Sequence, residues 1–336
     1  MKRRVAVIGA GSWGTALAIV AARAGHDVVI WSRNDAVVES INRDHLNSTY
    51  LTDTSIPHDV QATKNLVEAV AEKELVILAA PSHATRELIA TMSPALRAET
   101  IIVSATKGIE VDTGKRMSQV VAEVVPEKVR PRFVCLSGPS FAKEVVANHP
   151  TAIVAASTDP EARRIVQQEL SFDSLRLYTN DDVVGTELGG SVKNVMAIAA
   201  GMVGGLGFGS NSIAALITRG LAEMTRLAVS EGAKLETLMG LAGLGDLVLT
   251  CTGSLSRNRF VGHELGKGRS VNDIAAGMNE IAEGVKTTMA VKRLADRLGV
   301  DMPITNVVHG VLYEGKSASD AVSELMTRPL RNEANQ

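Results

Sequence analysis

Aromatic side chains are scarce in this 336-residue chain: two Trp, three Tyr and five Phe, 3% of the sequence. Its core must be built from Ala, Val, Leu and Gly, which favours close-packed helices and a parallel sheet over an all-β sandwich. Cysteine is scarcer still. Cys135 and Cys251 are far apart, with no His or Cys at ligand spacing, which argues against a structural zinc or a CxxC redox centre and suits a reducing cytoplasm. No metal is expected. An excess of one charge is also missing, since 35 Lys and Arg face 37 Asp and Glu for a net charge of -2. With no like-charge block, the sequence offers no footprint for nucleic acid or an anionic membrane and points to a small-molecule partner. Long apolar runs are lacking too. Lys2, Arg3 and Arg4 followed by Val5 to Ala22 imitate a secretory leader, but Gly9, Gly11 and Gly14 break the run, and Val5 to Ile8 alone reads as a buried strand. No other stretch reaches about 18 uninterrupted apolar residues, so membrane insertion is not expected.

What is present is an ordinary globular balance, 45% hydrophobic and 21% charged. At roughly 150 residues per domain the length predicts two domains. In the first half, strand candidates Val5 to Ile8, Val28 to Trp31, Leu75 to Ala79, Ile101 to Ser104, Phe133 to Leu136, Ala152 to Ala155 and Leu175 to Tyr178 are interleaved with helical patterns. The latter include Gly14 to Ala24, Ala84 to Met92, Thr113 to Val124 and Pro160 to Leu170. Apolar strands alternating with helices predict a parallel sheet covered on both faces. From about Thr186 strand signals stop. Ile213, Leu216, Ile217, Leu221, Met224, Leu227 and Ala228 recur at helical spacing behind an Asn211 or Ser212 cap, and Val271 to Met278, Val285 to Leu298 and Ser319 to Met326 fit further helices. The expected division is an α/β domain over 1–185 and an all-α domain over 186–336.

Gly9-Ala10-Gly11-Ser12-Trp13-Gly14 is a G-x-G-x-x-G that follows a strand and opens a helix, the context a Rossmann-like dinucleotide site requires. Gly9 permits the tight turn, Gly11 lets the backbone approach a pyrophosphate, and Gly14 allows helix and strand to pack closely. After the second strand, Ser32-Arg33-Asn34 stands where an acid would bind the ribose of NAD. Without that carboxylate a 2'-phosphate is not repelled, and Arg33 offers it a charged fork, so NADP(H) is favoured with NAD(H) as the alternative. An ordinary surface arginine is the competing reading of Arg33.

Ligands in open parallel sheets gather beyond the carboxyl ends of strands. Lys107 after Ile101 to Ser104, and Gly138-Pro139-Ser140 after Phe133 to Leu136, occupy such ends. Lys107 would bring positive charge to the reacting end of the cofactor, or else be a solvated loop lysine. The Gly138 turn could hold an anion or simply cap a helix. Further on, Lys193 lies in a helix that is apolar or small all round, with Gly189, Gly190, Met196 and Ala197 as its helical neighbours and no carboxylate among them. A partly buried amine can exchange protons near neutral pH, which reduction of a carbonyl requires; a lysine snorkelling past the helix start is the alternative. Asp246, in Gly243-Leu244-Gly245-Asp246, could bind a substrate hydroxyl, hold Lys193 or cap a helix. Ser256-Arg257-Asn258 supplies a hydroxyl, a guanidinium fork and an amide suited to a phosphate dianion, or a solvated basic turn.

With these residues in view, the sequence resembles the bacterial NAD(P)-dependent sn-glycerol-3-phosphate dehydrogenase family over essentially its whole length. The resemblance rests on GAGSWGTALA at Gly9, SATKGIE at Ser104, SGPSFAKE at Ser137, ELGGSVKNVMAIAAG at Glu187, ITRGLAEM at Ile217 and GLGDLVLTCTGSLSRNR at Gly243. It implies an N-terminal Rossmann domain, a helical domain like that of 6-phosphogluconate dehydrogenase, a substrate cleft between them, and conversion of dihydroxyacetone phosphate to sn-glycerol 3-phosphate for phospholipid synthesis in the cytoplasm, by a homodimer. It also implies that Lys193 is the general acid and base, with Lys107 and Asp246 tuning the reacting end, and that Lys107, Gly138, Ser140, Asp246, Ser256, Arg257 and Asn258 contact substrate. Ser12, Trp13, Arg33, Lys107, Ala142, Arg257, Ile281 and Glu283 then lie near the dinucleotide, Ile281 and Glu283 on the resemblance alone. A 3-hydroxy acid dehydrogenase or ketopantoate reductase would share the fold and Lys193 but leave the Ser256-Arg257-Asn258 set unexplained. A nonenzymatic dinucleotide sensor would explain only the fingerprint.

Overall fold

In the first strand every residue from Val5 to Ile8 is fully buried, with alternate side chains supplying two different cores. That is the signature of a central strand covered on both faces. The computed structural model describes residues 2–129, 132–278, 282–330 and 332–333. It divides into two units. The first comprises Met1–Lys107 and Arg116–Val183, the second Gly108–Lys115 and Val184–Gln336. The segment Gly108–Lys115, which the linear reading places within 1–185, thus packs with the helical unit: Arg293 and Arg297 donate to the carbonyls of Val111 and Thr113.

The first unit contains strands β1 (Arg4–Ile8), β2 (Asp27–Trp31), β3 (Leu46–Asn47), β4 (Leu51–Ser55), β5 (Gln61–Thr63), β6 (Leu75–Leu78), β7 (Ile101–Ser104), β8 (Arg132–Ser137), β9 (Thr151–Ala156) and β10 (Leu175–Asn180). Its helices are α1 (Ser12–Arg23), α2 (Asp35–Asp44), α3 (Leu66–Val70), α4 (Ser82–Met92), α5 (Met117–Val124), α6 (Ala142–Val146) and α7 (Pro160–Leu170). The main sheet runs β10-β9-β8-β7-β6-β1-β2-β5. The order reverses between β1 and β6, so the carboxyl ends of those two strands flank the switch point where an open α/β sheet takes its ligand. On one face Val5 and Val7 share a core with Leu17 of α1 and Val166 of α7; on the other Ala6 and Ile8 share one with Ile89 and Met92 of α4.

All seven strands read from the sequence are present, but the sheet is not wholly parallel. β8 pairs antiparallel with β9. The connection between them, 138–150, contains only the five-residue α6. The periodicity also misses β5 and the small antiparallel pair β3–β4, which are short and largely polar.

Described by itself, the second unit is helical: α8 (Val183–Gly205), α9 (Ser210–Ser230), α10 (Leu235–Leu238), α11 (Asp246–Thr252), α12 (Arg257–Gly266), α13 (Val271–Ala276), α14 (Glu283–Leu298), α15 (Pro303–Tyr313) and α16 (Ala318–Met326). α9 begins at Ser210 behind Gly209, without a side-chain cap, so neither Asn211 nor Ser212 caps it. α8 is the core helix, buried continuously from Gly185 to Val203. It meets α12 glycine on glycine, Gly201 and Gly205 against Gly262 and Gly266, so closely that a Cβ at any of the four would strike the opposite backbone. Leu235–Thr252 is long and apolar enough for a membrane span, with mean hydropathy 1.3. It folds instead as α10, a π turn over Leu241–Gly245 and α11, and carries the buried Asp246.

Candidate active site

The first unit places the glycine turn as its spacing predicts. Gly9 has φ +113°, and a Cβ there would meet the Ala80 nitrogen, just past β6, at 2.9 Å. A Cβ on Gly14 would collide with the Gly9 carbonyl and come 3.2 Å from Ala79 Cβ, so helix and strands could not close. Above Gly11 nothing lies within 4 Å of a built Cβ. α1 starts there with no side-chain cap and no acid in its first turn, leaving the positive helix end available to an anion. The indole Nε1 of Trp13 is buried without a partner among the described residues, and Ser12 Oγ donates to the Tyr50 carbonyl at 2.6 Å. Arg33, just past β2, is exposed, and no hydrogen bond or ion pair among the described residues engages it. An open cradle, an orphaned indole N–H and an unengaged guanidinium fit a dinucleotide.

Lys107 is not a solvated loop lysine. Its Nζ donates to the Gly138 carbonyl at 2.9 Å and approaches Ser140 Oγ at 3.5 Å, tying the loop after β7 to the loop after β8. Ser140 Oγ donates to the same carbonyl at 3.0 Å. Gly138 has φ +130°, and a Cβ would press on Ile153 Cα at 3.0 Å, so the turn is confined to glycine. Ala142 opens α6 two residues beyond Ser140. Ser104 and Ser137, at the ends of β7 and β8, have buried hydroxyls without partners among the described residues, a feature the sequence reading did not single out.

In the second unit Lys193 sits mid-helix in α8, 5% exposed, which removes the reading of a lysine snorkelling past a helix start. Its partner comes from 53 residues away. Nζ lies 2.6 Å from Asp246 Oδ1 and 2.8 Å from Thr250 Oγ1. Glycines make this approach possible: a Cβ on Gly189, one turn before Lys193, would stand 2.6 Å from the Ala242 carbonyl, and one on Gly243 would enter the Leu238 backbone. The π turn therefore nestles on α8 and delivers Asp246 at the start of α11. Asp246 and Thr250 are one turn apart on that helix, and Thr250 Oγ1 donates to the Asp246 carbonyl at 2.6 Å. Burial pushes the neighbouring Cys251 thiol up to about 12 despite the Lys193 charge, so it stays a thiol.

Next to Lys193, Asn194 accepts from Asn258 Nδ2 at 3.0 Å, and Asn258 Oδ1 accepts from the Gly284 N–H at 2.9 Å. α8, α12 and the start of α14 thus converge on Asn258. A Cβ on Gly284 would meet Asn258 Oδ1 at 2.6 Å, so the convergence depends on that glycine. Ser256 is buried as the N-cap of α12, its Oγ accepting from Arg259 N, whereas Arg257 is exposed. Glu283 opens α14 half-buried; Ile281 lies outside the described residues. Sequence reasoning missed Thr250 and Asn194, although both lie in the quoted segments. No group of three or more His, Cys, Asp and Glu able to hold a metal occurs among the described residues. A depression of about 700 Å³ on this unit, lined by Leu221, Arg226, Met239 and Asp301 among others, contains none of these residues.

The profile of the NAD-dependent glycerol-3-phosphate dehydrogenase N-terminus matches residues 4–163, and that of the C-terminus matches 182–323. The chain belongs to this family. Among its relatives, the glycerol-3-phosphate dehydrogenase [NAD(P)+] of Koribacter versatilis is 55% identical over 332 residues, 98% of each chain. That of Geobacter sulfurreducens is 52% identical over 333 residues, 99% of each. The crystal structure of glycerol-3-phosphate dehydrogenase from Coxiella burnetii superposes with a TM-score of 0.93 at 41% identity, covering 97% of this chain and 99% of that one. Membership in the glycerol-3-phosphate dehydrogenase family displaces the 3-hydroxy acid dehydrogenase and ketopantoate reductase readings.

Proposed function

We propose that this chain catalyses the reversible reduction of dihydroxyacetone phosphate to sn-glycerol 3-phosphate, with NADP(H) preferred over NAD(H), in the cytoplasm, as a homodimer that feeds phospholipid synthesis. The observation that carries this reading is the buried Lys193 amine, held by Asp246 and Thr250 beside the Asn194–Asn258 pair. The reduced nicotinamide, when bound, supplies a hydride to the carbonyl carbon. Lys193 protonates the oxygen as it takes on alkoxide charge and accepts that proton in the reverse direction. Asp246 and Thr250 fix the amine in place, which removes the reorganisation a free lysine would need. Arg257 and Asn258, with Ser256, anchor the phosphate dianion; Lys107, Gly138 and Ser140 are the first unit's candidate substrate contacts. Ser12, Trp13, Arg33 and Ala142 are the first unit's dinucleotide contacts, and Arg257 and Glu283 are the second unit's candidates for the same role.

The test follows absorbance at 340 nm while the protein meets dihydroxyacetone phosphate with NADPH or NADH, using dihydroxyacetone as the phosphate-free control. Oxidation that requires the phosphate is expected, faster with NADPH. Lys193→Ala should lower kcat by about two orders of magnitude or more while NADPH still binds. A variant with near wild-type turnover would remove Lys193 from its role, and binding without turnover of any carbonyl would return the sensor reading.

A further inference from the structure

We propose that Asn47 is a positioning residue for the dinucleotide, holding the fingerprint turn so that the Gly11 N–H faces the pyrophosphate. The proposal rests on the dinucleotide reading of the first unit but not on the identity of the substrate. Asn47 belongs to the β3–β4 pair, outside the main sheet, and is fully buried. Its amide uses all of its principal hydrogen-bonding capacity. Nδ2 donates to the Ala10 carbonyl and to Thr15 Oγ1, each at 2.8 Å, while Oδ1 accepts from Thr49 N at 3.3 Å and Tyr50 N at 3.1 Å. One side chain therefore joins the hairpin tip to both ends of the turn, and Ser12 Oγ closes a second strap onto the Tyr50 carbonyl.

The consequence follows from peptide geometry. In a trans peptide the C=O and the next N–H point in opposite directions. Anchoring the Ala10 oxygen toward Asn47 turns the Gly11 N–H away from Asn47, and the space about a Cβ built on Gly11 is open to a ligand. Neither Gly9 nor Gly11 can hold that peptide plane by itself, because glycine is conformationally permissive. Asn47 supplies the constraint that the glycines give up.

Asn47→Asp tests this, because it keeps the shape and the Oδ1 acceptor but replaces the donor to Ala10 with an oxygen. Titration calorimetry on the full chain is expected to show the NADPH dissociation constant raised about tenfold or more, with kcat at saturating NADPH and KM for dihydroxyacetone phosphate within twofold of wild type. Amide exchange at Gly11 to Thr15 should quicken in the variant. Should Asn47→Asp fail to fold, Thr15→Val, which removes the second acceptor and the longer 3.4 Å bond from Thr15 Oγ1 to the Ala10 carbonyl but leaves the Asn47 donor to that carbonyl, is expected to raise the same constant about threefold. An unchanged NADPH constant in whichever folded variant is measured, even with lowered stability, overturns the positioning role. Wild-type protein that binds no dinucleotide overturns both this and the reading beneath it, whereas wild-type binding without turnover of dihydroxyacetone phosphate leaves Asn47 to stand or fall on the binding constants alone.

Discussion

Lys193 and Asp246 are 5% and 1% exposed, and each removes from water a charge that the other offsets at 2.6 Å. Breaking such a pair from one side leaves a buried charge alone and costs about 3–5 kcal/mol, whereas replacing both members by apolar groups is often near neutral. Asp246→Ala should therefore lower the urea midpoint strongly, and Lys193→Met with Asp246→Leu should restore most of it, although without activity. Equal losses in the single and double variants would show that the pair is not the stabilising unit. At this scale the sequence was half legible. The burial of Lys193 followed from an all-apolar helix, but Asp246 as its holder was only one of three readings and Thr250 was missed, because helical spacing reports neighbours three and four residues away and the ion pair spans 53 residues. Asn47 was not legible at all, since its role depends on four backbone and side-chain groups that only the folded hairpin assembles.

Between elements, the most consequential contact besides the glycine seam is Glu223 of α9, whose carboxylate accepts from Ile304 N at 2.5 Å and Thr305 N at 3.3 Å and so caps α15. Burial raises its pKa from 4.5 to about 7, although these donors pull it down. Below pH 4.5 Glu223 is protonated in both folded and unfolded chains. Between pH 4.5 and about 7 the unfolded chain releases the proton first, so stability falls as pH rises through that window and levels off above it. Urea midpoints at pH 5 and pH 8 should differ less in Glu223→Gln than in wild type; parallel curves would contradict this assignment. The α8–α12 seam makes its own prediction. A Cβ on Gly201 would stand 2.7 Å from His263 N and 2.8 Å from Gly262 Cα, so Gly201→Ala should cost about 1–3 kcal/mol or more by overpacking. A melting temperature within a degree of wild type would mean the seam can open freely. Periodicity identified long elements such as α7 and α14, but not the antiparallel pairing of β9 with β8.

On the scale of the molecule, each unit carries its own core, one on the two faces of the sheet and one around α8. NADPH at a hundred times its dissociation constant should stabilise the folded chain by about 2.7 kcal/mol, with amide protection concentrated at β1, the glycine turn and α1. Lys193→Ala should retain that gain, and loss of it would move the cofactor's hold away from the first unit. The sequence by itself determined the α/β unit, the helical unit and the glycine turn, because strand and helix periods and the steric needs of glycine are local properties written into neighbouring residues. Tertiary structure alone decided that Gly108–Lys115 joins the helical unit, that the sheet reverses at β9, that Lys193 meets Asp246 and Thr250, and that Asn47 holds the turn. These depend on backbone approaches between segments distant in the chain, and no local pattern of residues encodes such distances.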